Sequence, residues 1–63
     1  MFNLKKLRQT RLALGLKQSY ISHLTGIPQS TISRIEKGER SPTIDEVNKL
    51  IRVLNIHPAD LIE

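Results

Sequence analysis

Sixty-three residues bound the chain to one domain, 1–63, short enough that its stability must come from nearly every apolar side chain it has. Cysteine is absent, which excludes disulfides and thiolate zinc sites, and two aromatics, Phe2 and Tyr20, are too few for a base-stacking platform. The net charge of +4 is uneven: residues 1–40 hold eight Lys/Arg against two acids, and residues 41–63 hold two against four. A basic first part fits a polyanionic partner, although the same charge also serves a merely solubilising surface. No apolar run approaches the roughly 20 residues that span a bilayer, and the first residues lack the apolar core and cleavage site of a signal peptide, so the expected location is cytoplasmic.

In chain order, Asn3 is the expected N-cap of a first helix, with Leu4, Leu7, Arg11 and Leu14 on one face and Lys5, Lys6 and Arg8 toward solvent. Gly15 ends it in a left-handed cap, and Leu16 tucks beneath. Lys17 or Gln18 opens a second helix that ends at Thr25 or Gly26. A third begins near Pro28, tolerated where a helix has no partner for its first amides, and stops at Lys37-Gly38. The segment from Gln18 to Ile35 thus reads as two short helices around a tight corner at Gly26, with Ile21, Ile27, Ile32 and Ile35 as apolar pins. Ser22 is small enough to let the second backbone approach, and its hydroxyl requires a backbone acceptor. Glu39-Arg40-Ser41-Pro42 is a loop. Thr43 to Glu46 forms a capping box, and a fourth helix follows with the stripe Ile44, Val47, Leu50, Ile51 and Leu54, stopping at Asn55. Pro58 to Ile62 makes a short fifth helix, with Leu61 closing the core. Nothing alternates as a strand would, so the expected class is all-α.

The corner leaves the outer face of the third helix polar, with Gln29, Ser30, Ser33, Arg34 and Lys37, a surface suited to the DNA major groove. Gln18, Ser22, Gly26, Ile27, the run from Gln29 to Gly38, and Pro42 resemble the helix-turn-helix family of phage repressors and Cro, the Xre-like regulators. The resemblance extends over roughly Leu4 to Ile62. It implies a compact five-helix, lambda-repressor-like domain with the helix-turn-helix formed by helices 2 and 3.

Candidate contacts follow from side-chain chemistry. Gln29 can donate and accept at once, matching an adenine edge bidentately, and Ser30 suits several bases. Ser33 lies four residues after Gln29 and Arg34 four after Ser30. Arg34 is long enough to fork onto guanine or to reach a phosphate. The resemblance likewise implies base reading at Gln29, Ser30 and Arg34. Gln18 opens a helix whose free amides suit an anion; the resemblance implies that it touches the backbone and supports the first reader. Lys17, Ser19, Thr31, Lys37 and Arg40 are further backbone candidates, each lysine being equally suited to plain solvation. Tyr20 either bonds a phosphate or is a lone surface aromatic.

Arg11, on the inward stripe, needs an acid, and the resemblance implies Glu36 as its structural ion-pair partner; alternatively Arg11 attracts phosphate and Glu36 repels it. His23 and His57 lack neighbouring ligands, so no metal or cofactor is expected. The serines show no nucleophile signature, so no enzyme is expected either.

The expected function is sequence-specific binding of a double-stranded, palindromic DNA operator, repressor-like, by a cytoplasmic homodimer with Val53, Ile56 and Ile62 at its surface. The alternative is an antitoxin or protein-interaction adapter on the same fold. The length fits either a stand-alone regulator or the N-terminal domain of a larger one.

Overall fold

The computed structural model describes residues 3–62. Four α-helices follow one another: α1 (Lys5–Ala13), α2 (Gln18–Thr25), α3 (Gln29–Glu36) and α4 (Ile44–Leu54). The expected fifth helix is instead one 3₁₀ turn, Pro58–Leu61. Four residues cannot repay the cost of nucleating an α-helix. The turn is held at its start by the His57 ring, whose Nδ1 accepts from the Ala59 amide at 3.2 Å. Leu61 nevertheless reaches the core, as its position predicts.

Each element supplies few core residues, so each matters. Leu7 comes from α1, Ile21 from α2, Ile32 and Ile35 from α3, and Val47, Leu50 and Leu54 from α4; Ile27 enters from the corner. Leu4, Leu16, Ile51 and Val53 pack on them, half-buried. α2 packs against both α3 and α4, and α1 lies across α3 and α4. The pins at Ile21, Ile27, Ile32 and Ile35 are all buried, as the corner requires.

Helix ends follow the expected punctuation in most places. Gly15, Gly26 and Gly38 have φ of 72°, 75° and 77°, and Asn55 joins them at 56°. The Thr43–Glu46 capping box is complete: Thr43 Oγ1 accepts from the Glu46 amide at 3.1 Å, and a Glu46 carboxylate oxygen accepts from the Thr43 amide at 2.9 Å. Asn3 departs from expectation. Leu4 is the N-cap of α1 and no side chain caps it; the Asn3 backbone is engaged elsewhere, its amide donating to the Leu61 carbonyl at 2.6 Å.

Three apolar positions also depart. α1 ends at Ala13, and the reversal at Gly15 leaves Leu14 54% exposed. Ile44 has the right angle on α4 for its stripe but stands in the first turn with nothing facing it, and is 67% exposed. Ile56, expected at a dimer surface, lies in the core. The left-handed Asn55 turns the chain back, so the Ile56 amide meets the Ile51 carbonyl at 2.9 Å and the side chain points inward.

The corner between α2 and α3 is tied by two hydroxyls. Ser22 Oγ donates to the Ile27 carbonyl at 2.6 Å, supplying the acceptor its burial requires. Thr25 Oγ1 donates to the Ile21 carbonyl at 2.8 Å and accepts from the Ile27 amide at 3.2 Å. Both polar backbone groups of Ile27 are thereby satisfied while its side chain fills the core. A Cβ at Gly26 would meet nothing within 4 Å, so the only obstacle there is the left-handed backbone. Gly26→Ala is therefore expected to cost about 1–2 kcal/mol in urea denaturation, with Gly26→Asn costing less; equal stability of all three proteins would show that the corner is not strained.

Candidate nucleic-acid interface

The polar surface is built on α3. Its inner residues Ile32 and Ile35 are each 1% exposed, which fixes the rotation of the helix about its axis. Gln29, Ser30 and Arg34 consequently face solvent, and Thr31 and Ser33 are half-buried at the edges of that face. Pro28 precedes the helix as its N-cap rather than entering it, and its carbonyl accepts from the amides of Thr31 and Ile32 at 3.0 and 3.1 Å. Lys37 caps the other end and is exposed.

A network centred on Glu36 holds this helix in place. Arg11 Nε donates to one Glu36 carboxylate oxygen at 2.8 Å and Arg11 Nη2 to the other at 2.9 Å. The remaining Arg11 nitrogen, Nη1, donates to the Leu16 carbonyl at 2.8 Å. Gln18 Nε2 donates to Glu36 at 3.0 Å. The ion pair expected between Arg11 and Glu36 is thus present, with side chains only 9% and 6% exposed. The resemblance implies that Gln18 touches the backbone and supports the first reader; in the structure its amide donates to the Glu36 carboxylate, tying the start of α2 to the last turn of α3. Lys17, in extended conformation, precedes α2 as its N-cap, and both Lys17 and Ser19 are exposed.

Burial pushes the Glu36 carboxyl up, but hydrogen bonds from Arg11 and Gln18, with the nearby Arg11 and Arg8 charges, outweigh it and hold the group below its ordinary value. The Glu36 hydrogen bond raises Arg11 in turn, against the opposing effect of burial.

Arg40 is placed differently from a free phosphate contact. Its guanidinium meets both oxygens of Glu46, at 2.8 and 3.2 Å. Glu46 is lowered first by that bond and then by the Thr43 backbone amide. The fork joins the α3–α4 loop to the start of α4. Neither this clamp nor the Thr25 bridge was anticipated; the Arg-x₅-Glu spacing across a proline loop carries no periodic signal, and Thr25 was read only as a helix end. Tyr20 is 49% exposed. Among the described residues, no cluster of His, Asp or Glu could hold a metal ion, and no helix is long and apolar enough to cross a membrane.

Two helices around a three-residue corner, the second presenting a polar face braced from within, define a helix-turn-helix domain. Residues 4–61 match the helix-turn-helix family, and the chain belongs to it, within the phage-repressor and Cro type. It is 37% identical over 51 residues to an HTH-type transcriptional regulator of Haemophilus influenzae, covering 81% of this chain and 52% of that protein. The chain therefore spans about half the length of that relative. It is 30% identical over 60 residues to the control protein C.BamHI of Bacillus amyloliquefaciens, covering 94% of this chain and 74% of the relative. The crystal structure of the restriction-modification controller protein C.AhdI from Aeromonas hydrophila superposes with a TM-score of 0.86 at 32% identity, covering 94% of this chain and 89% of that one.

Glu36→Ala strands a buried guanidinium and is expected to lower unfolding free energy by about 3–5 kcal/mol in urea. The pH dependence has a definite sign. Glu36 titrates lower in the folded chain than in the unfolded one, so the unfolded chain binds more protons over that interval. Its contribution is complete above the ordinary value of 4.5 and is lost as pH falls below it. Glu36→Gln should flatten this acid limb of a stability–pH curve, leaving the part contributed by Glu46, whose shift has the same sign. An acid limb unchanged in Glu36→Gln would show that the carboxylate is not held by Arg11.

Proposed function

We propose that the chain is a sequence-specific, double-stranded-DNA-binding transcription regulator that reads the major groove with α3. The observation that carries this reading is the contrast across one helix. Ile32 and Ile35 are buried, while Gln29, Ser30 and Arg34 are exposed with their amide, hydroxyl and guanidinium tips uncommitted to any hydrogen bond within the described residues. A helix of this kind supplies donors and acceptors at the spacing of base edges and enters the groove N-terminal end first. Gln29, Ser30 and Arg34 are the base readers, and Ser33, half-buried, reaches a base only from the edge of the face. Lys17, Gln18, Ser19, Thr31 and Lys37 contact the sugar-phosphate backbone. Arg40 does so only while sharing or leaving Glu46.

The reading is supported by membership of the helix-turn-helix family and by likeness to two controller proteins and a transcriptional regulator. The controller proteins favour a role in governing the genes of a restriction-modification system, repressor-like when the occupied site overlaps a promoter. One module of this size covers few base pairs, so a cytoplasmic homodimer on a palindromic site supplies the second half-site, with reading helices about 34 Å apart. Of the three pairing candidates Ile56 lies in the core, which leaves the exposed Ile62 and the half-buried Val53, to which the exposed Ile44 can be added.

Selection of duplexes from a random pool tests the reading directly. One recurrent, symmetric motif is expected. Gln29→Ala should weaken binding to that motif by about 1–3 kcal/mol and relax a single base position. Lys37→Ala should weaken all sequences alike and lower the slope of log K against log salt by about 1. Sedimentation of the free and DNA-bound chain counts its copies. Capture of a protein partner with no duplex binding, even at low salt, would replace this reading with that of an antitoxin or adapter.

A further inference from the structure

α1 has no part in the reading surface just described, yet its solvent side is strongly basic. Lys5, Arg8 and Gln9 on α1 line one shallow cleft together with Glu36 and Lys37 at the end of α3. Three cations therefore converge on a recess against a single carboxylate. That carboxylate is already bonded by Arg11 through both oxygens and by Gln18 through one. The Arg8 charge also acts on it, but one negative charge does not balance Arg11, Lys5, Arg8 and Lys37 together. Among the described residues, neither Lys5, Arg8 nor Lys37 takes part in an ion pair. Arg40 and Lys49, by contrast, are paired with Glu46 and Asp45. Lys6, Lys17, Arg34 and Arg52 are likewise in no ion pair among the described residues, so what sets Lys5, Arg8 and Lys37 apart is that they share one cleft.

The cleft is continuous with the reading helix, because Lys37 belongs to both: it is the C-cap of α3 and one wall of the recess. A strand of backbone that passes the end of α3 and is held by Lys37 would have its next anionic group beside Lys5 and Arg8. Two flexible cations and the Gln9 amide suit a tetrahedral anion, and three positive charges around one opening hold negative charge at little desolvation cost.

We propose that the α1–α3 cleft is a second backbone-binding site, in which Lys5 and Arg8 grip a DNA phosphate just outside the bases read by α3. This rests on the DNA-binding reading above and extends it from α2 and α3 to α1. The contact is sequence-independent. It lengthens the duplex the domain needs without changing the bases it prefers, and it makes α1 a clamp that fixes the register of α3.

The experiment is a salt titration of binding by fluorescence anisotropy, using the full chain and a duplex enriched from the random pool. The double variant Lys5→Gln/Arg8→Gln is compared with the wild type and with Lys49→Gln/Arg52→Gln, which removes the same charge from α4. Glutamine keeps the helix propensity of the residues it replaces, and matched circular dichroism melts verify the fold. The α1 variant is expected to lower the slope of log K against log salt by about 1–2, to bind about tenfold more weakly at low salt, and to select the same motif. The α4 variant should retain the wild-type slope. Trimming the duplex to the selected motif should erase the difference between wild type and α1 variant.

An unchanged slope in the α1 variant, with the wild type binding normally, overturns the clamp and leaves the reading of α3 standing. Equal loss of slope in both variants also overturns it, since the effect is then one of net charge. Failure of the wild type to bind any duplex removes both.

Discussion

The carboxylate of Glu36 is the point at which three helices meet. It receives Arg11 from α1, Gln18 from α2, and belongs itself to α3. A buried charge is costly unless it is paired and its remaining lone pairs are filled, so the arrangement of α1, α2 and α3 is fixed by the need to satisfy this one group. A small core cannot do that alone. With one leucine from α1 and one isoleucine from α2, apolar packing permits some sliding and rotation, whereas a bidentate guanidinium–carboxylate pair permits very little. Arg11 extends the constraint by donating its third nitrogen to the Leu16 carbonyl in the α1–α2 connection. The polar face of α3 is aimed by this network and held up by Ile32 and Ile35.

The corner solves a related problem with neutral groups. Gly26 reverses the chain so tightly that the backbone of Ile27 is carried into the interior. Its amide and carbonyl would be stranded there without Thr25 and Ser22. Hydroxyls on α2 thus do what a regular secondary-structure partner would do elsewhere. The result is that α2 and α3 are joined through side chain, backbone and core contacts within a few residues.

Much of this was legible in the sequence because it depends on local rules. Glycine at 15, 26 and 38, asparagine at 55, and the Thr43-to-Glu46 box each mark a helix end by their own conformational chemistry, and each does so in the structure. The stripe Val47, Leu50 and Leu54 followed from periodicity, and Ser22 from its need of an acceptor. What failed depended on what lies opposite. Ile44 has the right phase but no neighbour; Ile56 has the wrong phase but is swung inward by the turn before it. Asn3 has a capping side chain, yet the chain end is held by backbone pairing with Leu61. The partners of Gln18 and Arg40 are separated from them by 18 and 6 residues, outside any periodic signal. For the outward face of α3, composition and phase together sufficed to place Gln29, Ser30 and Arg34 in solvent, with Ser33 the exception, half-covered at the margin.

The Arg40–Glu46 fork restrains a loop as well as joining two elements. It draws the loop after α3 onto the start of α4, so that segment keeps little conformational freedom in the folded chain. Only two of the five guanidinium N–H groups are committed to the acid. The connection between the third and fourth helices is latched by them to the helix it leads into, so it cannot fray without also loosening the first turn of α4.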